Sequence, residues 1–412
     1  MKRFVLLGLA VCCGLGVCAQ SLKMPKLGKK LTSEQVVGYL ASDELAGRNG
    51  GTLGDTLASD FIYRQLEKLG MEPHKQVFEV KKENLHTFNV YGSVPGRSGK
   101  YIVVGAHYDH LGMGGQGSGS RRMDTLAIHN GADDNASGVA GMLYMAKHFA
   151  KVKGLEHGLI FVAFGAEEKG IVGSKHFAEN LVEIKLSGGK NISAKDIVAM
   201  VNFDMIGNLR GRAITLGGTG TAKQMDEIIA AAEKDYGNAL KVTRSAQGHG
   251  PSDHSAFYAK EIPVFYLTTG ATEDYHTPSD DAHKLNYPGI DSVATFAIKL
   301  VEQVQKYPAG LDFTDTGSPE ATPMRAAFKV TLGLMPDVTG QVENGLRADI
   351  VVKGKAAYKA GLKNGDVIVK INDIDIKDIE VYMNALATLK KGEVAVVKVL
   401  RNGQEMTFDV QL

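Results

Sequence analysis

The sequence predicts an α/β protein of two units: a mixed, mostly parallel sheet sandwiched by helices, followed by a small β-rich unit. Its 412 residues are too many for a typical single domain of roughly 150 residues. Short apolar runs alternate with helical stretches as far as residue 307, which is typical of strands covered by helices on both faces. From about Pro323 onward, short β-branched runs dominate.

Composition and charge narrow the class of protein. Hydrophobic residues make up 44% and charged residues 23% of the chain, as in ordinary globular proteins. The 47 basic and 46 acidic residues nearly cancel, which argues against a broad nucleic-acid-binding surface.

The first 19 residues have the organisation of a secretory signal peptide. Two basic residues precede an uncharged apolar run, Phe4 to Val17, and Ala19 suits cleavage before Gln20. The run is too short for a membrane span of about 20 residues, and no later segment is long and apolar enough. We expect an exported protein, periplasmic or secreted. A lipid anchor on Cys18 and a buried N-terminal helix are the alternatives.

All three cysteines lie within this segment, at Cys12, Cys13 and Cys18. The remaining chain therefore offers no disulfide and no thiolate metal site. A metal ion in the exported protein must be held by histidine and carboxylate, a ligand set typical of open, catalytic zinc sites.

The elements of the first unit follow from periodicity. Apolar residues from Leu57 to Leu69 recur at approximately helical spacing and Gly70 follows as a left-handed cap, which predicts an early helix. The later elements are predicted in this order: strand Tyr101–Ala106, helix near Ser137–Ala150, strands Leu159–Phe164 and Ile197–Phe203, helix near Ala222–Tyr236, strand Val264–Leu267, and helix from about Ile290 to Tyr307.

A segment rich in proline, glycine and polar residues, Pro308 to Thr322, separates the units and is predicted to be a linker. The boundaries are 20–307 for the first unit, 308–324 for the linker and 325–412 for the second unit. The second unit is predicted to contain strands Ile350–Lys353, Asp366–Ile371, Val394–Leu400 and Met406–Leu412 around a helix near Ile379–Leu389.

Polar residues that suit metal chemistry lie directly after the predicted strands or a short loop beyond the last of them. They are His107, Asp109, Glu167, Glu168, Asp204, Tyr275 and His276. Open α/β sheets bind ligands beyond the carboxyl ends of their strands, so these segments should converge on one crevice. Each residue alone could be a loop cap or an exposed side chain, but the set indicates a site.

Spacing within two pairs suggests separate tasks. His107 and Asp109 point to the same side of an extended backbone, so Asp109 can hold the spare imidazole N–H of a metal-bound histidine. The side chains of Glu167 and Glu168 diverge, which suits one carboxylate on metal and the other taking a proton from bound water. The alternative is an exposed acidic pair at a helix start.

The segment GADDNASG, Gly131 to Gly138, forms a tight turn into the second predicted helix. Its small residues permit a strained backbone, and a carboxylate there could bridge two cations. Asp133, Asp134 or Asn135 could equally serve as a helix cap.

The ordered set GAHYDH, GADDNASG, GAEEKG, NFDMIG and DYHTPSD resembles the exported dizinc aminopeptidases of metallopeptidase family twenty-eight, over roughly residues 30 to 307. The resemblance implies two Zn²⁺ per chain, with the ligands assigned as follows: His107 and Asp204 on one ion, Glu168 and His276 on the other, and Asp134 bridging both through a cis peptide to Asn135.

The same resemblance implies a reaction, the removal of N-terminal residues from peptides by a metal-bridging hydroxide. Glu167 would be the general base and Asp109 the partner of the histidine ligand. Tyr275 would donate a hydrogen bond to the oxyanion of the tetrahedral intermediate, unless it is a plain packing tyrosine.

The second unit resembles a PDZ domain of the kind attached to bacterial exported proteases. Two segments support this, Leu332-Gly333-Leu334-Met335 and the run AYKAGLKNGDVIVKIND from Ala357 to Asp373. Such a loop can offer backbone N–H groups to the terminal carboxylate of a peptide. Pro336 departs from the pattern because it lacks a donor where a bound peptide would pair. A peptide or protein ligand and a structural role both stay open.

Two other functions are carried forward as alternatives. The same dizinc fold could serve a carboxypeptidase, amidase or deacylase, in which Arg210, Arg212 or Arg244 would receive a carboxylate, or more distantly a glutaminyl cyclase. From another class, the chain could be a non-catalytic peptide-binding protein, but Glu167 and the full set of predicted ligands count against that.

Overall fold

The computed structural model places the two predicted units on separate sheets. It describes residues 31–186, 191–317, 330–336, 342, 345–377 and 379–412. The predicted signal peptide with its cysteines and residues 318–324 of the predicted linker lie outside these ranges. No helix within them is long and apolar enough to cross a membrane.

The larger unit contains seven α-helices and eight strands within the described ranges. The helices are α1 Ser33–Leu40, α2 Leu53–Lys68, α3 Gly138–Phe149, α4 Val172–Glu179, α5 Met225–Asp235, α6 His254–Tyr258 and α7 Tyr287–Val304. The strands are β1 His74–Val80, β2 Leu85–Val94, β3 Tyr101–His107, β4 Gly158–Phe164, β5 Ile197–Phe203, β6 Ala213–Gly217, β7 Lys241–Arg244 and β8 Val264–Thr268.

The eight strands form one mixed sheet in the order β1-β2-β4-β3-β5-β8-β6-β7. Its centre is parallel, because β3 pairs in parallel with β4 and β5, and β5 with β8. β2 and β6 join this centre in antiparallel fashion. The predicted fold class is confirmed. The four parallel strands end at the same edge of the sheet, so the segments that follow them meet there.

The sheet is buried on both faces, as the apolar runs predict. Along β3, Ile102 and Val104 belong to the cluster under α1, α2, α3, α5 and α7, whereas Tyr101 and Val103 belong to the cluster under α4 and α6. Alternate side chains of a strand point to opposite faces, so each central strand contributes to both cores. A strand buried on both faces needs a continuous apolar run, and such runs predict the central strands of this sheet.

The turn before α2 is packed backbone to backbone, and this gives a stability prediction. A methyl group added at Gly54 would lie 1.8 Å from the Leu45 carbonyl oxygen, so Gly54→Ala should lower the free energy of unfolding by about 1–3 kcal/mol. Gly38, exposed within α1, has nothing within 4 Å of such a methyl. Gly38→Ala should raise the free energy by about 0.5–1 kcal/mol. Urea unfolding of both variants checks the pair; similar effects at the two sites would contradict the packing argument.

The smaller unit has its own antiparallel sheet, in the order β14-β13-β11-β10-β9 with β12 beside β11. Its elements are β9 Leu334–Pro336, β10 Leu346–Val351, α8 Ala356–Ala360, β11 Val367–Ile371, β12 Ile374–Asp375, α9 Ile379–Thr388, β13 Val394–Arg401 and β14 Gln404–Gln411. Buried Asp366 is paired with Arg401 Nε at 2.7 Å. Pro336 lies on the edge strand β9, opposite Ala348 of β10.

The first residues of the predicted linker are anchored on the larger unit. The Thr314 amide donates to the Thr221 carbonyl at 2.9 Å, and the Tyr258 hydroxyl donates to the Asp315 carboxylate at 2.6 Å. Residues 308–317 therefore follow the surface of the larger unit before the chain reaches the smaller one.

Candidate metal centre

The residues that follow the parallel strands lie together in one crevice. His107 is the last residue of β3, Asp204 directly follows β5, and Glu167 and Glu168 follow β4 after two small residues. His276 lies on the loop that follows β8. The turn before α3 adds Asp134 to the same place, so the segments predicted to converge do so.

A first group of ligand atoms surrounds the imidazole of His107. Its Nε2 atom lies 3.2 Å from Asp134 Oδ1 and 3.5 Å from Asp204 Oδ1. All three side chains are buried. The group could hold one metal ion.

A second group shares Asp134 with the first. His276 Nε2 lies 3.1 Å from both Asp134 Oδ2 and Glu168 Oε2. His110 Nδ1 lies 2.9 Å from Glu168 Oε1 but 3.8 Å from Asp134 Oδ2. Either imidazole could complete a second metal site with the two carboxylates. The geometry favours His276, because a single nitrogen faces both carboxylates at equal distance. The two oxygens of Asp134 thus face different groups.

Asp134 is held in place through its backbone. The peptide between Asp134 and Asn135 is cis, as the resemblance implied. The Asp280 carboxylate accepts hydrogen bonds from the amides of Asp133 and Asp134 at 2.8 and 3.0 Å. The Asn135 side chain donates to the Phe203 carbonyl at 2.9 Å. The turn is therefore clamped from two sides, which fixes the carboxylate between the imidazoles.

The imidazoles are oriented by backbone carbonyls. His276 Nδ1 lies 3.0 Å from the Gly119 carbonyl oxygen, which can accept its proton and leave Nε2 free to face the carboxylates. His107 Nδ1 lies 3.3 Å from the Asp109 carbonyl oxygen and 3.8 Å from the Asp109 carboxylate. That carboxylate instead accepts hydrogen bonds from the Glu167 and Glu168 amides at 2.9 and 3.3 Å. Asp109 thus links the ends of β3 and β4.

The electrostatics of the crevice are dominated by buried opposite charges. Burial alone would raise the pKa of Asp134, but hydrogen bonds from His107 and His276 hold it well below its ordinary value. Burial likewise opposes ionisation of Glu168, yet the two histidines beside it, His276 and His110, lower its pKa to about 2. Burial would lower the pKa of His107 and His276, but neighbouring carboxylates raise both well above the ordinary value. The protons on these imidazoles occupy positions that cations could take.

Glu167 and Tyr275 border the two groups. Burial, together with repulsion from Glu168, raises the pKa of Glu167 well above its ordinary value. The Tyr275 ring stacks on His276 with centroids 3.8 Å apart. Burial, with nearby carboxylates such as Asp134, raises the pKa of the Tyr275 hydroxyl well above its ordinary value, so it stays a hydrogen-bond donor at neutral pH.

The residues present fit divalent metal. Within the described chain, Asp204 Oδ1 is buried without a hydrogen-bond partner, and an unpaired buried acceptor is costly unless something binds it. The donors are imidazole nitrogens and carboxylate oxygens without thiolate, a set that suits zinc in open sites.

Three residues at the crevice were not predicted individually. His110 contacts Glu168, Asp280 holds the turn of Asp134, and Arg48 donates to the carbonyl oxygen of Gly131. The first two lie inside motifs already recognised, GAHYDH and DYHTPSD, and spacing to a predicted ligand was the available signal. Arg48 lies far from those motifs in sequence, and no pattern pointed to it.

The arginines considered for carboxylate recognition are engaged or exposed. Arg244 is paired with Asp226 at 3.2 Å and with Glu233 at 2.7 Å. Arg210 and Arg212 are exposed.

The Leu332–Met335 segment of the smaller unit includes the start of edge strand β9. Leu332 is buried, and its carbonyl accepts a hydrogen bond from the Ala357 amide at 2.8 Å.

Two family profiles match the chain. Residues 89–301 match Peptidase family M28, and residues 332–412 match the PDZ domain. The first match spans the crevice from β3 to His276.

Relatives by sequence carry aminopeptidase names. Aminopeptidase YwaD of Bacillus subtilis is 30% identical over 193 residues, which cover 44% of this chain and 40% of that protein. A probable leucine aminopeptidase of Arthroderma otae is 24% identical over 244 residues, covering 56% of this chain and 61% of that protein. The chain thus spans about half the length of these two relatives.

Solved structures share the fold. A zinc aminopeptidase from Bacillus subtilis, BSAP, superposes with a TM-score of 0.54 at 16% identity, covering 68% of this chain and 94% of that one. Glutaminyl cyclase of Porphyromonas gingivalis gives 0.55 at 17% identity, covering 66% and 97%. The fold therefore occurs in proteins of both names, and the choice between activities depends on the crevice.

Proposed function

The chain belongs to peptidase family M28, and from that premise we propose that it is a zinc-dependent exopeptidase that hydrolyses N-terminal residues from peptides. The observation that carries the proposal is the position of Asp134, whose two oxygens lie 3.2 Å from His107 and 3.1 Å from His276. A carboxylate whose two oxygens face different imidazoles can bind two metal ions, whereas a single ion would use only one of those oxygens.

Two Zn²⁺ per chain would be held by the five residues named from the sequence. His107 and Asp204 would bind one ion, Glu168 and His276 the other, and Asp134 both. Zinc bound there would supply Lewis acidity that polarises a peptide carbonyl and acidifies water. Asp109 would act by fixing the backbone of Glu167 and Glu168, which its carboxylate contacts.

Glu167 is proposed to move the proton of the reaction. Its carboxylate would take a proton from the attacking water and deliver it to the amine that leaves. Tyr275 would donate a hydrogen bond to the oxyanion that forms on the substrate carbonyl. Its ring stacks on His276 and its hydroxyl is close enough to the carboxylates of Asp134 and Glu168 for them to raise its pKa, which supports this role.

The names of the sequence relatives favour cleavage from the N-terminus, because both relatives described above are called aminopeptidases. Five carboxylates, those of Asp109, Asp134, Glu167, Glu168 and Asp204, lie at the crevice. The charge of two Zn²⁺ ions would largely offset theirs, so net charge does not choose between the two ends of a peptide. Arg244 is already paired with Glu233, which also weighs against its binding a substrate carboxylate as a carboxypeptidase would require.

The dependence on zinc can be tested with the mature protein and an unblocked peptide. Release of the N-terminal residue should stop after treatment with 1,10-phenanthroline and return when zinc is added in buffered amounts. Turnover that survives removal of metal, verified by elemental analysis, would refute the proposal.

The ligand assignment predicts different effects for the two histidines near Glu168. His276→Asn should lower the zinc content by one ion per chain, because its Nε2 faces both Asp134 and Glu168. His110→Asn should retain both ions, since an amide can still donate to Glu168. Elemental analysis of dialysed proteins compares the two; loss of an ion from the His110 variant with retention in the His276 variant would reverse the assignment.

We propose the same organisation as the sequence indicated: a signal peptide over residues 1–19, the peptidase domain over 20–307, a linker over 308–324 and the PDZ domain over 325–412. The leading segment supports export to the periplasm or the exterior, with cleavage near Ala19. The Leu332–Met335 segment is proposed to receive the carboxyl end of a peptide or protein ligand.

A further inference from the structure

Arg48 is a fully buried cation that lies beneath the candidate metal centre. It belongs to the turn between α1 and α2 and has no solvent exposure. Burial lowers the pKa of its guanidinium to about 10, so it is charged at neutral pH. Burying a charge is costly unless its hydrogen bonds are satisfied, so its partners indicate what the residue does.

All its hydrogen bonds go to backbone carbonyl groups. Nε donates to the Tyr108 carbonyl at 2.7 Å, one terminal nitrogen donates to Asn130 at 2.6 Å and to Leu40, and the other donates to Gly131 at 2.9 Å. No carboxylate in the described part of the chain lies within ion-pair distance of it, but the charges of nearby carboxylates, Asp109 and Asp280 foremost, favour its charged form. Its direct contacts are thus with the main chain, and the carboxylates act on its charge only from beyond contact distance.

Three of these four carbonyl groups belong to the segments that present His107 and Asp134 of the first group. Tyr108 lies between His107 and Asp109 at the end of β3. Asn130 and Gly131 begin the turn that carries Asp134. The guanidinium thus spans the two segments and ties both to the end of α1 at Leu40.

The chain adopts an unusual conformation to place this side chain. Ala46, Gly47 and Arg48 are consecutive left-handed residues, with φ of 44°, 72° and 50°. Left-handed backbone is unfavourable for alanine and arginine, and such conformations persist where the surroundings over-determine them. The Gly47 carbonyl accepts a hydrogen bond from the Gly112 amide at 3.1 Å, which joins this turn to the loop beyond β3.

We propose that Arg48 is a positioning residue for metal binding, setting the separation between His107 and Asp134 through the carbonyl groups of Tyr108, Asn130 and Gly131. Lysine could keep the charge but not the fork, since its ammonium is a point donor. The inference rests on the proposed function, because it assigns Arg48 a task at the proposed zinc ligands.

Arg48→Lys and Arg48→Met test it, with His157→Gln as the control. His157 is also buried and bonds to the Tyr307 carbonyl at 3.0 Å, but it precedes β4, at the opposite end of the sheet from the crevice. For each metal-free protein, the melting temperature is measured, and the zinc dissociation constant is determined by competition with a chromophoric chelator.

Both Arg48 variants should bind zinc at least about tenfold more weakly than the wild type, the scale typical of lost outer contacts at metal sites. The control should melt at a lower temperature yet bind zinc within about twofold of the wild type. Arg48→Lys keeps the charge and most of the volume, so it decides the matter if Arg48→Met does not fold.

Zinc binding by Arg48→Lys within twofold of the wild type would overturn the inference while leaving the proposed function intact. Equal weakening in the control would also overturn it, because the effect would then follow general destabilisation. Failure of the wild type itself to bind zinc would instead remove the proposed function.

Discussion

Replacing Glu167 with glutamine is expected to reduce peptide turnover by about 10²–10⁴-fold while leaving the zinc content at the wild-type level. The amide keeps the shape of the side chain but cannot accept the proton that general base catalysis requires. The raised pKa of Glu167 in its buried, acidic surroundings marks it as a group that readily holds a proton. Steady-state kinetics with an unblocked peptide, together with elemental analysis, measure the two quantities on one preparation.

Glu179→Gln is the matched control, because Glu179 is an exposed residue at the end of α4. It should leave both turnover and zinc content unchanged. A Glu167 variant that retained more than a tenth of the wild-type kcat would contradict its role as base. Loss of zinc from that variant would mean that it is a ligand.

Asp134→Asn should have the larger effect on metal, lowering zinc below one ion per chain and removing measurable turnover. The substitution deletes the charge that faces His107 and His276 at 3.2 and 3.1 Å, so it weakens both proposed sites at once. If Asp134 contacted only one of the two ions, the variant would lose only one zinc per chain. Zinc per chain after dialysis against a weak chelator distinguishes the two cases.

Asp124→Asn, an exposed change on a nearby loop, serves as the comparison and should retain zinc and activity. Retention of two ions by the Asp134 variant would contradict the bridging assignment. Without metal the variant should still fold, since the turn is held by Asp280 and Asn135. It should melt at a lower temperature than the metal-free wild type, because the substitution removes the negative charge that His107 and His276 stabilise.

The central strands of the sheet could be predicted because burial on both faces demands continuous apolar runs. β3, β4, β5 and β8 begin and end within two residues of the prediction. β7, with the sequence KVTR and a largely exposed edge position, carries no such run, and it was not predicted. β1 and β2 mix polar and apolar residues because they extend the sheet away from its fully buried centre.

At the crevice, motifs at strand ends were sufficient to name residues that the structure brings together, from His107 to His276. The contacts that support them were harder to foresee. Arg48 reaches Gly131 across 83 residues of sequence, and its acceptors are carbonyl groups, which every residue possesses. Asp109 was predicted to hold the imidazole N–H of His107, but its carboxylate accepts hydrogen bonds from the amides of Glu167 and Glu168 instead.

The measurement that tests the central claim most directly compares one unblocked peptide with its N-acetylated twin. Both are incubated with zinc-loaded mature protein and followed by mass spectrometry. We predict a ladder that shortens from the N-terminus of the free-amine peptide and no change in the acetylated one. Shortening from the carboxyl end, cleavage of the acetylated twin, or no change in either peptide would contradict the aminopeptidase assignment, and the last result would favour a binding protein.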